Sequence, residues 1–422
     1  MATVVNMCLP EVVQLTLQLA ANPTESLSTG MKRKSNERPI STGKKAKPSL
    51  TPKQSTTYPV QVKTLLAHRF FVVKKAGEGA FATVWVCWDT KQKRFVALKI
   101  SRNEEHILHA AQEEIEIFQH LYHEHQNRPH IVELYEYFKL HRNGKVYYCL
   151  VFELMGMTLL QQLKQLQKEK GAFSVEATRR ILTDVLSGLQ MLHDSGIIHT
   201  DIKPENVLRS LTKEEEIKLG YEVIQSLRSV PGGQCKIRSV RDHIRKIYEE
   251  QRHMVIKIVD LGSAQFVDYN DDIKNDFIIT TQPYRSFEAL MRDEWTTATD
   301  IWSVGCLAYE LATGRMLMPV SDEDDVEHLN WMIGRVGMPS LPLRQIGRHA
   351  ARHFDSKGGR RDPRRIRGCY TLMAHKFMTY SNGKYDSEAA NKLCAFVKSL
   401  LVFDKEKRPN AEECLKLPFI AS

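Results

Sequence analysis

Nowhere in this sequence do two cysteines stand as C-x-x-C. The eight present are scattered, which argues against a zinc cluster and supplies no disulfide framework. No apolar run is long enough to span a bilayer. The early stretch V-V-Q-L-T-L-Q-L-A-A lacks a basic leader and a small-residue cleavage site, so it does not read as a signal peptide. Internal repeats are missing as well. These absences predict a reducing, intracellular protein without a membrane partner. What is present is ordinary globular composition: 422 residues, 42% hydrophobic and 26% charged, enough for one large domain or two smaller ones.

Net charge is +10, but it is unevenly placed. Basic residues crowd M-K-R-K-S-N-E-R-P-I-S-T-G-K-K-A-K-P (31–48), and residues 341–368 hold eight arginines and one lysine against two aspartates. D-Y-N-D-D-I-K-N-D (268–276) and S-D-E-D-D-V-E (321–327) are acidic. Such blocks suggest several separate surfaces rather than one nucleic-acid groove. The arginine-rich stretch 344–367 is the candidate for direct nucleic-acid contact.

Residues 22–60 are rich in Ser, Thr, Pro, Lys and Gly, and 1–65 is expected to be a disordered arm. From Phe70 onward F-F-V-V-K-K-A, F-A-T-V-W-V-C-W and R-F-V-A-L-K-I read as consecutive antiparallel strands. Residues 104–122 carry Ile107, Ala111, Ile115 and Phe118 at helical spacing. H-I-V-E-L-Y-E-Y-F and V-Y-Y-C-L-V-F-E follow as two more strands, joined at Asn143-Gly144. Beyond Gly156 the pattern turns helical, with Ile181, Val185, Leu189 and Leu192 on one face. A β-rich lobe (66–155) thus precedes an α-rich lobe (156–422), an α+β bilobal plan. Residues 209–253 interrupt it: Ile217, Tyr221 and Ile224 share one helical face, and Val240, Ile244 and Ile247 another, around Pro231-Gly232-Gly233. An inserted pair of short helices or a partly ordered linker is expected there.

The chemistry concentrates in I-I-H-T-D-I-K-P-E-N-V-L (197–208). A carboxylate at Asp201 can accept or orient a hydroxyl proton. The ammonium of Lys203 can neutralise a transferred phosphoryl group, and the amide oxygen of Asn206 and the carboxylate of Asp260 can bind a hard cation. Upstream, G-E-G-A-F-A-T-V (77–84) lets backbone approach a polyphosphate at Gly77 and Gly79, and Lys99 in V-A-L-K can meet its oxygens. Glu114 is the expected partner of Lys99, with Glu113 as the neighbouring alternative. Singly, each reads as a turn, a cap or a solvated charge; their fixed order favours the chemical reading over that one.

Together with D-L-G, S-F-E and D-I-W-S-V-G, these segments resemble the eukaryotic protein-kinase signature set over residues 70–420. The resemblance implies a bilobal fold that clamps ATP beneath the glycine-rich loop. It implies that Ala76, Gly77, Glu78, Gly79, Ala80, Phe81, Ala82, Val84 and Ala97 enclose the nucleotide, with Lys99 and Glu114 on its phosphates. Backbone groups of Glu153 and Met155 would face adenine. Asn206 and Asp260 would hold Mg2+, Asp201 would orient the acceptor hydroxyl, and Lys203 would assist. Glu288 and Arg408 would pair. Lys203 and Thr281 match serine/threonine kinases rather than tyrosine kinases.

Y-R-S-F-E resembles the group of cyclin-dependent, MAP, DYRK, CLK and SR-protein kinases. H-T-D-I-K-P-E-N-V-L, V-F-E-L-M-G-M-T-L-L, S-R-N-E-E-H and Y-E-Y-F-K-L-H-R-N-G are most similar to the SR-protein-specific kinases (SRPK), with CLK kinases close. The expected partners are therefore basic, Arg-Ser-rich splicing factors. A CLK- or DYRK-like choice of acceptor, or a weakly active scaffold for RNA-processing partners, stands as the alternative. Gln282, Pro283 and Phe287 depart from the SRPK pattern beside the substrate platform. Thr200 replaces an arginine that, in many kinases, pairs with a phosphorylated activation loop. Activity without that phosphorylation is expected. K-R-K and K-K-A-K resemble a two-part nuclear-import signal, so pools in both cytoplasm and nucleus are expected.

Overall fold

The β-branched and aromatic runs form an antiparallel sheet in a computed structural model that describes residues 6–8, 56–169, 171–230, 233–267, 278–320, 324–362, 364, 366 and 373–422. Its strands are β1 (Asn6–Cys8), β2 (Leu65–Leu66), β3 (Phe70–Glu78), β4 (Ala82–Asp89), β5 (Arg94–Ser101), β6 (Leu134–Arg142) and β7 (Lys145–Glu153), in the spatial order β1-β6-β7-β5-β4-β3-β2. Helix α1 (Glu105–Glu124) buries Ile107, Ala111, Ile115, Phe118 and Leu121, the face its spacing predicts. Asn143 and Gly144 join β6 to β7 with φ of 50° and 73°, the paired left-handed conformation of a two-residue hairpin. The predicted strand from His130 begins only at Leu134. Ile131 instead bridges to Ile258, whose N–H donates to the carbonyl of His130.

Most of the expected disordered arm lies outside the described residues. Its last ten residues are ordered, however. The N–H of Asn103 donates to the carbonyl of Thr56, and the Tyr58 ring meets Tyr147 edge-on at 5.2 Å. Those contacts bury apolar surface that composition alone assigned to solvent.

Under the sheet, the guanidinium of Arg69 is forked between the carboxylates of Asp89 (2.5 and 2.8 Å) and Glu136 (2.5 and 2.8 Å). All three residues are buried.

After β8 (Met155–Thr158) come α2 (Leu159–Lys168), α3 (Val175–Asp194), β9 (Ile197–Ile198) and β10 (Val207–Ser210). Then follow the helices α4 (Lys213–Leu227) and α5 (Gly233–Glu249), strands β11 (Ile256–Ile258) and β12 (Gln265–Phe266), and helices α6 (Phe287–Met291), α7 (Ala298–Thr313) and α8 (Asp325–Val336). Among the described residues five further helices follow, including α9 (Ala350–His353), α10 (Met373–Tyr380) and α11 (Ser387–Leu400). Helix α7 is buried from Thr299 to Thr313 and is therefore the axis of the lobe rather than a surface helix. Three helical faces close on it.

The insertion is a helical hairpin whose apolar side faces the other lobe. Leu219, Val223, Ile224, Leu227, Ile237, Val240 and Ile244 form one cluster with Phe71, Val86, Trp88 and Phe95 of the sheet. Gly220 lets the two helices touch: a Cβ there would lie 2.6 Å from Cδ1 of Ile244. The predicted α5 face is buried, but Tyr221 is 52% exposed. The buried face of α4 runs through Glu216, Leu219, Gly220, Val223, Ile224 and Leu227, which keeps the predicted Ile224 and leaves Tyr221 outside. Glu216 is held there by His243 and Arg252.

Two predictions follow from the packing. Replacing Arg69 by Ala strands two buried carboxylates and should destabilise the protein by about 3–5 kcal/mol, read from urea unfolding. Glu310, buried on α7, accepts a 2.6 Å hydrogen bond from the Tyr284 hydroxyl, and burial raises its carboxyl to about 7. A folded value above the unfolded one stabilises the protein fully at low pH and loses that stabilisation as pH rises toward about 7. Wild-type stability should therefore fall between pH ~5 and ~7 relative to Glu310→Gln, by at most ~1.4 kcal/mol per pH unit.

Candidate active site

The segment after β9 turns sharply at Thr200, whose φ of 68° is unusual for a β-branched residue. The turn is held from below. The fully buried carboxylate of Asp300, in the first turn of α7, accepts from the N–H of His199 (2.8 Å) and of Thr200 (2.9 Å). His193 adds a third contact at 3.0 Å. The Thr200 hydroxyl donates to the carbonyl of Ser263 at 2.8 Å, tying this loop to the one after β11.

That turn presents Asp201. Its Oδ2 lies 2.6 Å from Nζ of Lys203 and accepts from Nδ2 of Asn206 at 3.0 Å; its Oδ1 accepts from the hydroxyl and N–H of Thr281 at 2.8 and 3.0 Å. Lys203 also donates to the Thr281 hydroxyl at 2.7 Å. Burial pushes the Asp201 carboxyl up, but Lys203 and Thr281 outweigh it and hold it below the usual carboxylate range. The group is a carboxylate at neutral pH, fixed in orientation and able to accept.

On the sheet, Nζ of Lys99 lies 2.8 Å from both carboxylate oxygens of Glu114 and 2.8 Å from Oδ1 of Asp260. Glu114 is 2% exposed at its side chain, whereas Asp260 is 52% exposed, facing the gap between the lobes. Burial opposes the charge on Lys99, but Asp260 and Glu114 raise its ammonium well above the ordinary value. Burial raises Glu114 against the pull of Lys99, while Lys99 lowers Asp260. Asp260 sits at φ 64°, in the left-handed region. Glu113, the alternative partner, is exposed.

The glycine-rich segment is the hairpin between β3 and β4. Gly77 pairs with Val84, Ala76 sits at a register shift, and the N–H of Gly79 donates to the carbonyl of Ala82 at 2.9 Å. Ala80 and Phe81 form its tip, with Phe81 56% exposed. A Cβ at Gly77 would meet nothing within 4 Å. Ala97 pairs with Phe152 across β5 and β7, and Glu153 and Met155 lie where β7 gives way to β8. The Glu153 carboxylate turns back to accept from the N–H of Glu133 (2.8 Å) and from Lys257 (2.5 Å).

Lys99, Glu114 and Asp260 thus meet in one ion group and Asp201, Lys203 and Asn206 in another, and the Thr200–Ser263 bond ties the two loops that carry them. The donor set fits a polyphosphate with a hard cation. Lys99 supplies a fixed ammonium, the exposed Asp260 carboxylate and the Asn206 amide supply oxygens, and the hairpin leaves open space at Gly77. Two protein oxygens suffice for Mg2+ where phosphates and waters complete its octahedron. Asp300 and Arg102 are the residues that motif reading passed over. Asp300 was visible as the first letter of D-I-W-S-V-G, but its function as a clamp on two N–H groups requires the fold.

Among the described residues, several charges of these runs are paired within the fold. Residues 268–276 and 321–323 lie outside the described residues. Asp324 caps α8 and pairs with Arg364 at 3.0 Å, and Asp325 pairs with Arg285 at 3.4 Å. In the arginine-rich stretch, Arg344 and Arg361 donate to carbonyls of Pro339, Gly358, Ala351 and Phe354, and Arg360 donates to Asn330. Among the described residues, Asp324, Asp325, Arg344, Arg360, Arg361 and Arg364 are thus engaged within the fold. Glu288 and Arg408 pair in the core at 2.8 and 3.0 Å.

The chain matches the protein kinase domain over residues 70–221 and 247–420. The unmatched 222–246 fall inside the α4–α5 hairpin. It is 30% identical over 398 residues to a serine/threonine-protein kinase SRPK of Physarum polycephalum, covering 87% of this chain and 90% of that protein. It is 29% identical over 372 residues to serine/threonine-protein kinase AFC3 of Arabidopsis thaliana (86% and 85%), and 28% identical over 370 residues to dual specificity protein kinase CLK1 of Homo sapiens (84% and 66%). Among the described residues, no helix is long and apolar enough to cross a membrane. With motif order, bilobal fold and these likenesses in agreement, the chain belongs to the eukaryotic protein kinase family, as an ATP-dependent serine/threonine kinase of the SRPK/CLK-like kind.

Proposed function

We propose that this kinase transfers the γ-phosphoryl group of Mg-ATP to serine in basic, Arg-Ser-rich proteins of the splicing type. The observation that carries the catalytic part is the Asp201–Lys203–Thr281 cluster, in the same lobe as Asp260, whose carboxylate meets Lys99 of the sheet. Lys99 would hold phosphate oxygens, and Asp260 and Asn206 would hold the magnesium ion, which supplies charge neutralisation on the phosphates. Asp201 would orient the acceptor hydroxyl and take its proton, with Lys203 balancing charge beside it. Such catalysis is mainly positioning and electrostatic stabilisation. The SRPK relative and the family-like segments support the acceptor class.

A second acceptor, Ser-Pro, is favoured by one feature. Thr280 is held at φ 65° with its carbonyl turned onto the Arg285 guanidinium, at 3.0 Å from Nη2 and 3.3 Å from Nε. An acceptor backbone laid beside it finds that carbonyl already taken. Proline, with no N–H, loses nothing there.

Phosphate incorporation into Arg-Ser, Lys-Ser and Ser-Pro peptides tests both readings. Arg-Ser should be used best; a Ser-Pro preference supports the second reading, and equal use of all three removes the SR-type assignment. Asp201→Ala should reduce transfer by at least ~100-fold while leaving nucleotide affinity within about threefold. A folded variant that still transfers phosphate overturns the role of Asp201.

Control by activation-loop phosphate is not expected. Thr200 brings no charge, and the catalytic loop is already tied to Asp300 and Ser263 by the bonds described above. Phosphatase-treated enzyme should retain most of its turnover.

A further inference from the structure

We infer that Arg102 is a positioning residue that latches the glycine-rich hairpin to the strand carrying Lys99. The inference deepens the kinase reading and rests on it for its functional consequence, though not for its structural one. Arg102 follows β5 directly, three residues after Lys99. It holds the hairpin tip at three points. Its backbone N–H donates to the carbonyl of Phe81 at 2.9 Å. Its Nη2 donates to the carbonyl of Gly79 at 2.9 Å and to the Glu78 carboxylate at 3.3 Å. Glu78 is drawn in from its other side by Lys75, so one carboxylate lies between two cations.

The geometry gives this contact a purpose that ordinary surface pairing lacks. The hairpin's own internal tie at its tip is the bond from Gly79 N–H to the carbonyl of Ala82. Glycine and alanine there contribute little packing, and Phe81 points outward. A two-stranded tip of this kind is weakly ordered by itself. The arginine side chain is 25% exposed, while the Glu78 carboxylate that it meets is 47% exposed, so the charge-assisted bond is a surface one and the bond to the Gly79 carbonyl fixes its geometry. Asn103, next in line, anchors the same segment by donating from its side chain to the carbonyl of Val146 at 2.8 Å and from its backbone to Thr56. Arg102 thus transmits the position of the sheet to the amides of the hairpin. Lys99 and those amides then approach a polyphosphate as one preset unit, with less ordering left to be done on binding.

The test uses the full chain with Arg102→Ala, Arg102→Lys and Glu78→Gln. Hydrogen exchange on nucleotide-free protein reads the latch without any assumption about activity. In Arg102→Ala the amides of residues 79–82 should exchange at least ~10-fold faster, with β4 and β5 unchanged. Unaltered exchange at the tip overturns the proposal, whether or not the protein transfers phosphate. In the kinase assay, Arg102→Ala should raise KM for ATP about 5–10-fold. It should leave KM for the peptide and the melting temperature nearly unchanged. Arg102→Lys should recover part of the loss, since an ammonium can still reach the Gly79 carbonyl, and Glu78→Gln should have a smaller effect. A uniform loss of stability with equal rises in both KM values assigns Arg102 a merely structural place and overturns the proposal. Faster exchange beside an unchanged KM for ATP overturns its catalytic part alone, and failure of wild-type turnover refutes the kinase reading rather than the latch.

Discussion

The left-handed turn at Thr200 exists because a carboxylate buried beneath it has nowhere else to spend its charge. Asp300 sits in the first turn of a helix that is wholly inside its lobe, and its oxygens are taken by two consecutive backbone N–H groups and one imidazole. A positive φ at a β-branched residue costs about 1–3 kcal/mol. Charge-assisted bonds from a buried carboxylate offset that cost, and they fail together if the helix shifts. The direction of the Asp201 side chain is thus decided in the core of the lobe. Asn206 and Lys203 then steady the same carboxylate from two further sides.

Across the seam, the sheet solves the complementary problem. A lysine side chain buried alone would lose its proton, and a glutamate buried alone would gain one. Lys99 and Glu114 keep each other charged, and Asp260 shares the same ammonium from the other lobe. The ion group therefore spans both lobes through a single nitrogen. Its one exposed member faces the gap, which is where a further cation would find an unshared oxygen.

How much of this could be read from letters depends on whether the cause was local. The hairpin at Asn143-Gly144, the buried stripe of α1 and the choice of Glu114 over Glu113 follow from turn chemistry and helical spacing, which act over a few residues. Lys99, Asp201, Asn206 and Asp260 were legible because each lies in a short segment with its own pattern. Their convergence was inferred by resemblance and is seen only in the fold. What escaped has long-range causes. Tyr221 shares a helical face with Ile224 by spacing, yet it stays exposed while Gly220 next to it admits Ile244 of α5 at close range. The acidic run before α8 looked free, but Arg364 and Arg285 reach it from 40 residues away in each direction. Residues 56–65 read as the end of a disordered arm, and the aromatic ring that meets Tyr58 comes from β7.

The helical hairpin leaves its lobe and returns to it, entering after β10 and leaving before β11, while its dry side belongs to the aromatic wall of the sheet. Trp88 is completely covered in consequence, and its ring meets that of His243 at 5.1 Å. Heating one lobe therefore cannot leave the other intact: melting the sheet uncovers the hairpin, and releasing the hairpin wets Trp88. The molecule is built to come apart as a single cooperative unit, and tryptophan fluorescence would sense the loss of either half at the same temperature.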